Sequence, residues 1–473
     1  MSSVFGALVP PVELVAPDRL GPVHFIAIGG AGMSGIAALY AELGVPVSGS
    51  DQAASPALEM LAERGVRVHV GHAADQLGDA GTVVVSSAIA ADNPELVAAR
   101  ARGLRIWHRS AALGALMLGR PGIAVGGTHG KTTTSAMVAH LLNGLGEQPG
   151  YVVGAPLADG PASALGAPGA PFVVEADESD GSFLQYPAEV AVVTNIEADH
   201  LDNWGTPQAY ADGFGEFVGR ARVAGLNADD PGTIAIFGAR ADGFGAAPGA
   251  GLRIGSVSAA GFGSTAEISL GQDRATLRLQ VPGAHNVHNA AAALWSVRAT
   301  LGERFDLARA CAVLGDFRGT HRRFSPVGEA GGVRVFDDYA HHPTELVATL
   351  SAARAGLAGT GGRLIACFQP HLFSRTRDFA AEFGRALALA DETVLMEIYP
   401  ARERAEDFPG VTSELLVEHA RAAGGSVRLV TDRAVVPGAV AELARPGDVV
   451  LILGAGDVTR IAPEVVTAVE QRR

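Results

Sequence analysis

The stretch Val125-Gly126-Gly127-Thr128-His129-Gly130-Lys131-Thr132-Thr133-Thr134 carries residue types and spacing suited to phosphate chemistry. An apolar run ending at Val125 reads as a buried strand, and Thr133 to Leu145 reads as a helix. A glycine turn ending in Gly-Lys-Thr between them brings backbone N–H groups and a helix N-terminus to one point. Lys131 then supplies a point charge, and the Thr132 hydroxyl a ligand for magnesium. The turn is shorter than the common G-x-x-x-x-G-K loop, since only Thr128 and His129 separate Gly127 from Gly130. A glycine turn with an incidental lysine is the alternative. Against it, Lys131 is the only lysine in 473 residues. Arginine fills the other permanently cationic positions, so this one calls for a compact ammonium and not a planar fork. The stretch reads as an ATP site.

Two acidic clusters lie in the same segment. Phe172-Val-Val-Glu-Ala-Asp-Glu-Ser-Asp180 is an apolar strand delivering carboxylates into a loop, and Asn195-Ile-Glu-Ala-Asp-His-Leu-Asp202 follows the strand Val190 to Thr194. Either alone could be a solvated loop. Beside a lysine loop they suit magnesium held against phosphate. Upstream, a strand at His24 leads into Gly30-x-Gly32-x-x-Gly35 at a helix start, and a second strand ends in Asp51. That is the dinucleotide fingerprint in strand–turn–helix context. Taken alone it fits an NAD-dependent oxidoreductase, or glycines that serve only helix packing. The oxidoreductase reading leaves Lys131 and the carboxylate loops without a role.

These groups need α/β elements to position them. Strands and helices alternate through the first third: helix 56–64, strands 66–70 and 82–86, helix 94–102 and strand 105–107. Met1 to Pro22, with Pro10-Pro11 and Pro17, reads as a flexible arm. Short strands are expected within 232–280, and an alanine-rich helix over 290–300. In the last third, strands near 333–337, 363–368, 393–398, 427–430 and 448–453 alternate with helices near 343–355, 376–390, 412–423 and 434–443. That pattern is a doubly wound unit. Its strand ends carry Asp337-Asp338, His341-His342, His371, Arg375 and Arg377, where such sheets bind ligands. Boundaries near 118–122 and 317–324 give three domains, 1–119, 120–323 and 324–473.

A net charge of −14 argues against nucleic acid or an anionic membrane as partner. Cys311 and Cys367 sit apart in apolar surroundings and read as buried free thiols. Without a basic-then-apolar leader or a run long enough to span a membrane, a cytoplasmic protein is expected, monomer or homodimer.

Seven motifs together resemble the Mur ligases, from about His24 to Gly456: Ile28-Gly-Gly-Ala-Gly-Met-Ser-Gly-Ile36, Gly127-Thr-His-Gly-Lys-Thr-Thr133, Glu175-Ala-Asp-Glu-Ser-Asp180, Thr194-Asn-Ile-Glu-Ala-Asp-His200, His285-Asn-Val-His-Asn289, Arg322-Arg-Phe324 and Asp337-Asp-Tyr-Ala-His-His-Pro-Thr-Glu345. The first turn is most similar to that of members adding alanine to UDP-N-acetylmuramate. The resemblance implies three domains: a Rossmann-like N-terminal domain, a central P-loop domain and a Rossmann-like C-terminal domain. The first would hold the UDP group on Gly30, Gly32, Met33, Ser34 and Gly35, with Asp51, Ser86, Ser87 and Arg109 nearby. The central domain would bind ATP on Gly127 to Thr133, with Thr132, Glu175 and His200 on magnesium. His129 and Asn195 would lie closer to the muramate carboxylate, and Asn289 would read the adenine. The third would close over ATP with Arg323 and Asp338 and present His342, Arg375 and Arg377 to alanine, His342 as a base. Ala27, Ala340, His321 and Leu372-Phe373 depart from the usual pattern.

The implied reaction activates the carboxylate as an acyl phosphate, which the alanine amine then attacks. Two magnesium ions are implied. Several related ligases position the second with a lysine carbamate, which this chain cannot form, its one lysine being Lys131. The second ion would rest on His200, substrate oxygens and water, with Glu216 acting through water.

Overall fold

The computed structural model describes residues 5–238 and 242–472. The chain divides into two compact units: Met1–Gly255 with Glu267–Thr276 and His288–Leu314, and Ser256–Ala266 with Leu277–Val287 and Gly315–Arg473. Among the described residues no helix is long and apolar enough to cross a membrane.

The first unit holds two mainly parallel sheets. One runs Arg67–Val70, Val47–Asp51, Val23–Ile26, Thr82–Val85, Arg105–His108, parallel throughout. Val23–Ile26 and Thr82–Val85 are buried at every position, as strands covered on both faces must be. His24 therefore sits in the interior, and its ring bonds Ser48 Oγ at 2.9 Å and Glu95 Oε1 at 3.1 Å. The second sheet runs Val223–Leu226, Val190–Val193, Gly122–Gly126, Phe172–Glu175, Gly150–Val152, Ser163–Ala164. Its register pairs Val125 with Glu175 and Gly126 with Val193. The lysine loop thus leaves the sheet flanked by both acidic segments.

In the second unit the sheet order is Ser325–Ala330, Val333–Asp338, Val449–Leu453, Leu364–Phe368, Glu392–Leu395, Val427–Leu429, with only the first strand antiparallel. All five expected strands are present. The helix expected over 376–390 is two, Phe373–Asp378 and Ala380–Leu387. Phe379 leaves helical geometry between them and turns its ring edge-on to His342, 4.9 Å between centroids. Both cysteines are buried and free, and burial pushes each thiol up to about 12.

Two features escaped the sequence. Arg109–Leu116 is a helix whose residues from Ser110 onward are all buried, so it has no polar face to give a period. The arm, expected to be flexible, is fastened from Phe5 onward. Val9 N donates to Asp180 O at 2.8 Å, and the Gln185 amide pairs twice with Val12, at 2.7 and 2.9 Å. Leu8 packs on Gly181, Leu14 on Gly114, and the Phe5 ring lies edge-on to His108. A proline-rich stretch with little regular structure can still be a strap, held by backbone and side-chain contacts.

Gln185→Ala deletes both amide bonds in a buried setting, so it should cost about 1–3 kcal/mol. Protease should also cut the arm faster. Denaturant midpoints and limited proteolysis check this; an unchanged midpoint and cleavage rate would show that the strap contributes nothing.

Candidate active site

The loop is clamped from the neighbouring strand end. Thr128 N donates to Asn195 O at 3.0 Å, and His129 N to Asn195 Oδ1 at 2.9 Å. Asn195 Nδ2 and Thr194 Oγ1 return bonds to His129 O at 2.9 and 2.6 Å. Thr128 Oγ1 donates to Glu197 O at 3.0 Å. Gly127 has φ +130°, and a Cβ there would meet Thr194 Oγ1 at 2.0 Å. Gly130 caps the helix Lys131–Leu145 with φ +83°, and the Asn289 carboxamide presses against it. The first-turn amides of Lys131, Thr132 and Thr133 follow, in the arrangement that binds anions. His129 Nε2 lies 3.1 Å from Glu197 Oε2.

Lys131 is the centre of a charge cluster. Its Nζ donates to Gly127 O at 2.7 Å and Thr128 O at 3.1 Å, and lies 2.7 Å from Glu178 Oε2. Burial opposes its charge, but Glu178, Asp177 and Glu175 outweigh that and hold its pKa above the ordinary lysine value. Glu178 is fully buried, and burial pushes its carboxyl up to about 7 against the pull of Lys131. Asp177 goes the other way: despite burial, Arg109 and Lys131 hold it at about 2.

Thr132 Oγ1 donates to Glu175 Oε1 at 3.0 Å, and Gly154 N to Glu175 Oε2 at 2.7 Å. His200, in the left-handed region at φ +54°, has Nε2 3.9 Å from Glu178 Oε1 and 3.7 Å from Asp199 Oδ2. Among the described residues, Glu178 Oε1 is buried without a hydrogen-bond partner. A hydroxyl, two carboxylates and an imidazole, with one buried oxygen unsatisfied, fit a hard divalent cation. Glu216 does not join them: it pairs with Arg220 at 2.6 Å and is half exposed.

The glycine turn of the first sheet reaches toward the same cluster. Asp51 Oδ2 accepts from Gly29 N at 2.9 Å. Gly30 caps the next helix, Ser34 N donates to Gly30 O, and Met33 is buried. A Cβ on Gly32 would meet Arg109 Nη1 at 2.9 Å, and one on Gly35 would meet Ser163 Oγ at 3.1 Å. Arg109 Nη2 lies 3.1 Å from Asp177 Oδ2. Ser87 Oγ donates to Asp180 Oδ2 at 2.6 Å and lies 3.1 Å from His108 Nε2, whose pKa burial lowers to about 4. Ser86 offers its carbonyl to Ile89 N in the turn between. The acidic loop 177–180 thus faces the lysine on one side and the Gly30–Gly35 turn on the other.

In the second unit, Asp338 accepts from Phe324 N at 2.7 Å and Ala340 N at 2.8 Å, and burial raises its carboxyl to about 6. Arg323 lies over the Tyr339 ring. His342 caps the helix Pro343–Gly356: its Nδ1 accepts from Thr344 N at 3.4 Å, with Glu345 completing a capping box. Arg375 is buried. Arg377 pairs with Asp378 at 2.7 Å and is more than half exposed. Glu178 and Asp177 are the groups the sequence reading passed over. The motif contained both, but nothing in their spacing says which acid of the loop turns inward.

Models of the Mur ligase family match three segments in chain order: the "Mur ligase family, catalytic domain" over residues 22–120, the "Mur ligase middle domain" over 125–297 and the "Mur ligase, glutamate ligase domain" over 322–456. The chain is 55% identical to a UDP-N-acetylmuramate–L-alanine ligase of Cutibacterium acnes, covering 98% of this chain and 99% of that one. It is 51% identical to the enzyme of that name from Kineococcus radiotolerans, covering 96% and 97%. The solved structure of a UDP-N-acetylmuramate–alanine ligase from Thermotoga maritima matches with TM-score 0.78 at 29% identity, covering 96% of this chain and all of that one.

Gly127→Ala should collapse the loop, because both its φ and the Thr194 contact forbid a side chain. The expected cost is about 3 kcal/mol or more, with loss of ADP binding. Gly146→Ala, at φ +91° with open space around it, is the control. Equal effects of the two in melting and ADP titration would refute the clamp.

Proposed function

We infer that this chain, which belongs to the Mur ligase family, joins L-alanine to the carboxylate of UDP-N-acetylmuramate with cleavage of ATP to ADP and phosphate. The observation that carries this reading is one acidic loop, 177–180, paired at Asp177 with Arg109 over the Gly30–Gly35 turn and at Glu178 with Lys131. A uridine nucleotide on the turn would extend its muramate toward a nucleoside triphosphate on the lysine loop.

A carboxylate is a poor electrophile, so its oxygen attacks the γ-phosphorus first and ADP leaves. The amine of alanine then attacks the acyl phosphate carbonyl, phosphate departs, and an amide remains. Two anions meet in the first step. Lys131 and the first-turn amides of Thr132 and Thr133 neutralise the charge that develops on the transferring group. Magnesium would be held by Thr132, Glu175 and His200, two ions in all, and would add further positive charge at the phosphates. His129 and Asn195 are assigned to the muramate carboxylate, and Asn289, beside Gly130, to the adenine. Buried Arg375 suits the alanine carboxylate, with Arg323 and Asp338 assigned to the nucleotide. The Nδ1 of His342 serves the helix cap, so a proton taken from the alanine ammonium would go to Nε2. Both nucleotide substrates place the reaction in the cytoplasm.

Phosphate release from ATP, with UDP-N-acetylmuramate fixed and the amino acid varied, tests the reading. Release should require both acceptors and be fastest with L-alanine. UDP should raise the melting temperature where NAD and NADP do not. Activity should persist in buffer freed of carbon dioxide, since no second lysine exists to carry a carbamate. A preference for another amino acid, a shift with NAD alone, or rescue by bicarbonate would each overturn the corresponding part.

A further inference from the structure

The reaction as described assigns no role to Glu178. Its carboxylate is fully buried, Oε2 lies 2.7 Å from Lys131 Nζ, and Oε1 accepts no hydrogen bond. The other two acceptors around Nζ, Gly127 O and Thr128 O, are neutral carbonyls of the loop itself. Glu178 is therefore the anion that neutralises the phosphate-binding lysine when no phosphate is there. It is held in that place by its own backbone, whose carbonyl accepts from Trp204 Nε1 at 2.9 Å.

A phosphate that claims Lys131 must take the ammonium from Glu178 or share it. Either way a buried carboxylate loses part of its closest cation, which is strongly unfavourable unless another cation or a proton replaces it. The neighbours cannot supply one. Asp177 and Glu175 add negative charge, and Arg109 is committed to Asp177 at 3.1 Å. His200 Nε2 faces Oε1 at 3.9 Å and Asp199 Oδ2 at 3.7 Å, and as a metal ligand it would be a neutral imidazole that brings no charge. A divalent cation bound with the nucleotide would supply the missing charge without a proton being taken up.

We propose that Glu178 is an exchangeable counter-ion, which holds Lys131 until nucleotide arrives and then passes from the ammonium to a divalent cation entering with the phosphate. Nucleotide and cation binding are then coupled through one side chain, and metal-free nucleotide is refused because it would strand a buried anion. The proposal rests on the reading of the lysine loop as the ATP site. It makes Glu178 a positioning residue for Lys131, with no bond made or broken at the substrate.

Calorimetric titration of ADP into the full-length protein, in EDTA and in excess magnesium, tests it. In wild type, magnesium should tighten ADP at least about thirtyfold, and in Glu178→Gln less than about threefold. Glu178→Gln should also bind metal-free ADP about tenfold tighter than wild type, because no anion competes for the lysine. Equal magnesium dependence in the two proteins would overturn the proposal. Should the glutamine variant not fold, Glu178→Ala takes its place. Should neither fold, wild type decides: magnesium tightening below about threefold refutes the exchange, and tightening above about thirtyfold supports it. Wild type that binds no ADP under either condition would refute the ATP-site reading itself, a different result from binding without a difference between the proteins.

Discussion

One ammonium group, Lys131, lies among three carboxylates of a single acidic segment. The rest of the first unit is arranged around that imbalance. A buried cation needs anions, and a phosphate site needs a cation whose anions can be displaced. The loop meets both demands by drawing on two neighbouring strand ends. One supplies Thr194 and Asn195, which fix the backbone; the other supplies Glu175 to Asp180, which set the charge. Parallel register makes this possible, because adjacent strands end at the same level as the strand that feeds the loop.

The same segment ties the Gly30–Gly35 turn and the lysine loop into one electrostatic system. Arg109 lies against Gly32 and, with Lys131, holds Asp177 well below the usual carboxylate range. Substitutions in either the turn or the lysine loop should therefore be felt by both, since charges this close and this buried do not act additively.

Much of this was legible in the sequence. Apolar runs bounded by glycine predicted the parallel strands, and in the last third every one is present. The lysine loop announced itself by spacing and by the absence of any other lysine. What remained hidden was hidden for physical reasons. Arg109–Leu116 is buried on all sides and so lacks the period that betrays a helix. Phe379 breaks a helix for the sake of a ring contact made far away in sequence. The arm is irregular in composition but is held by Gln185, 173 residues from Val12. Glu178 could not be chosen over its neighbours, because direction into the interior is set by the turn and by Trp204, not by residue type.

The state of Lys131 is directly observable, because no other lysine is present to overlap its signal. Lysine labelled with 15N at Nζ will give one side-chain resonance, from this residue alone. At neutral pH the account predicts a narrow ammonium signal, protected from exchange with water by its pairing with Glu178, that moves on addition of ADP with magnesium. A signal broadened away by exchange, as for a lysine in water, or one unmoved by the nucleotide would contradict it.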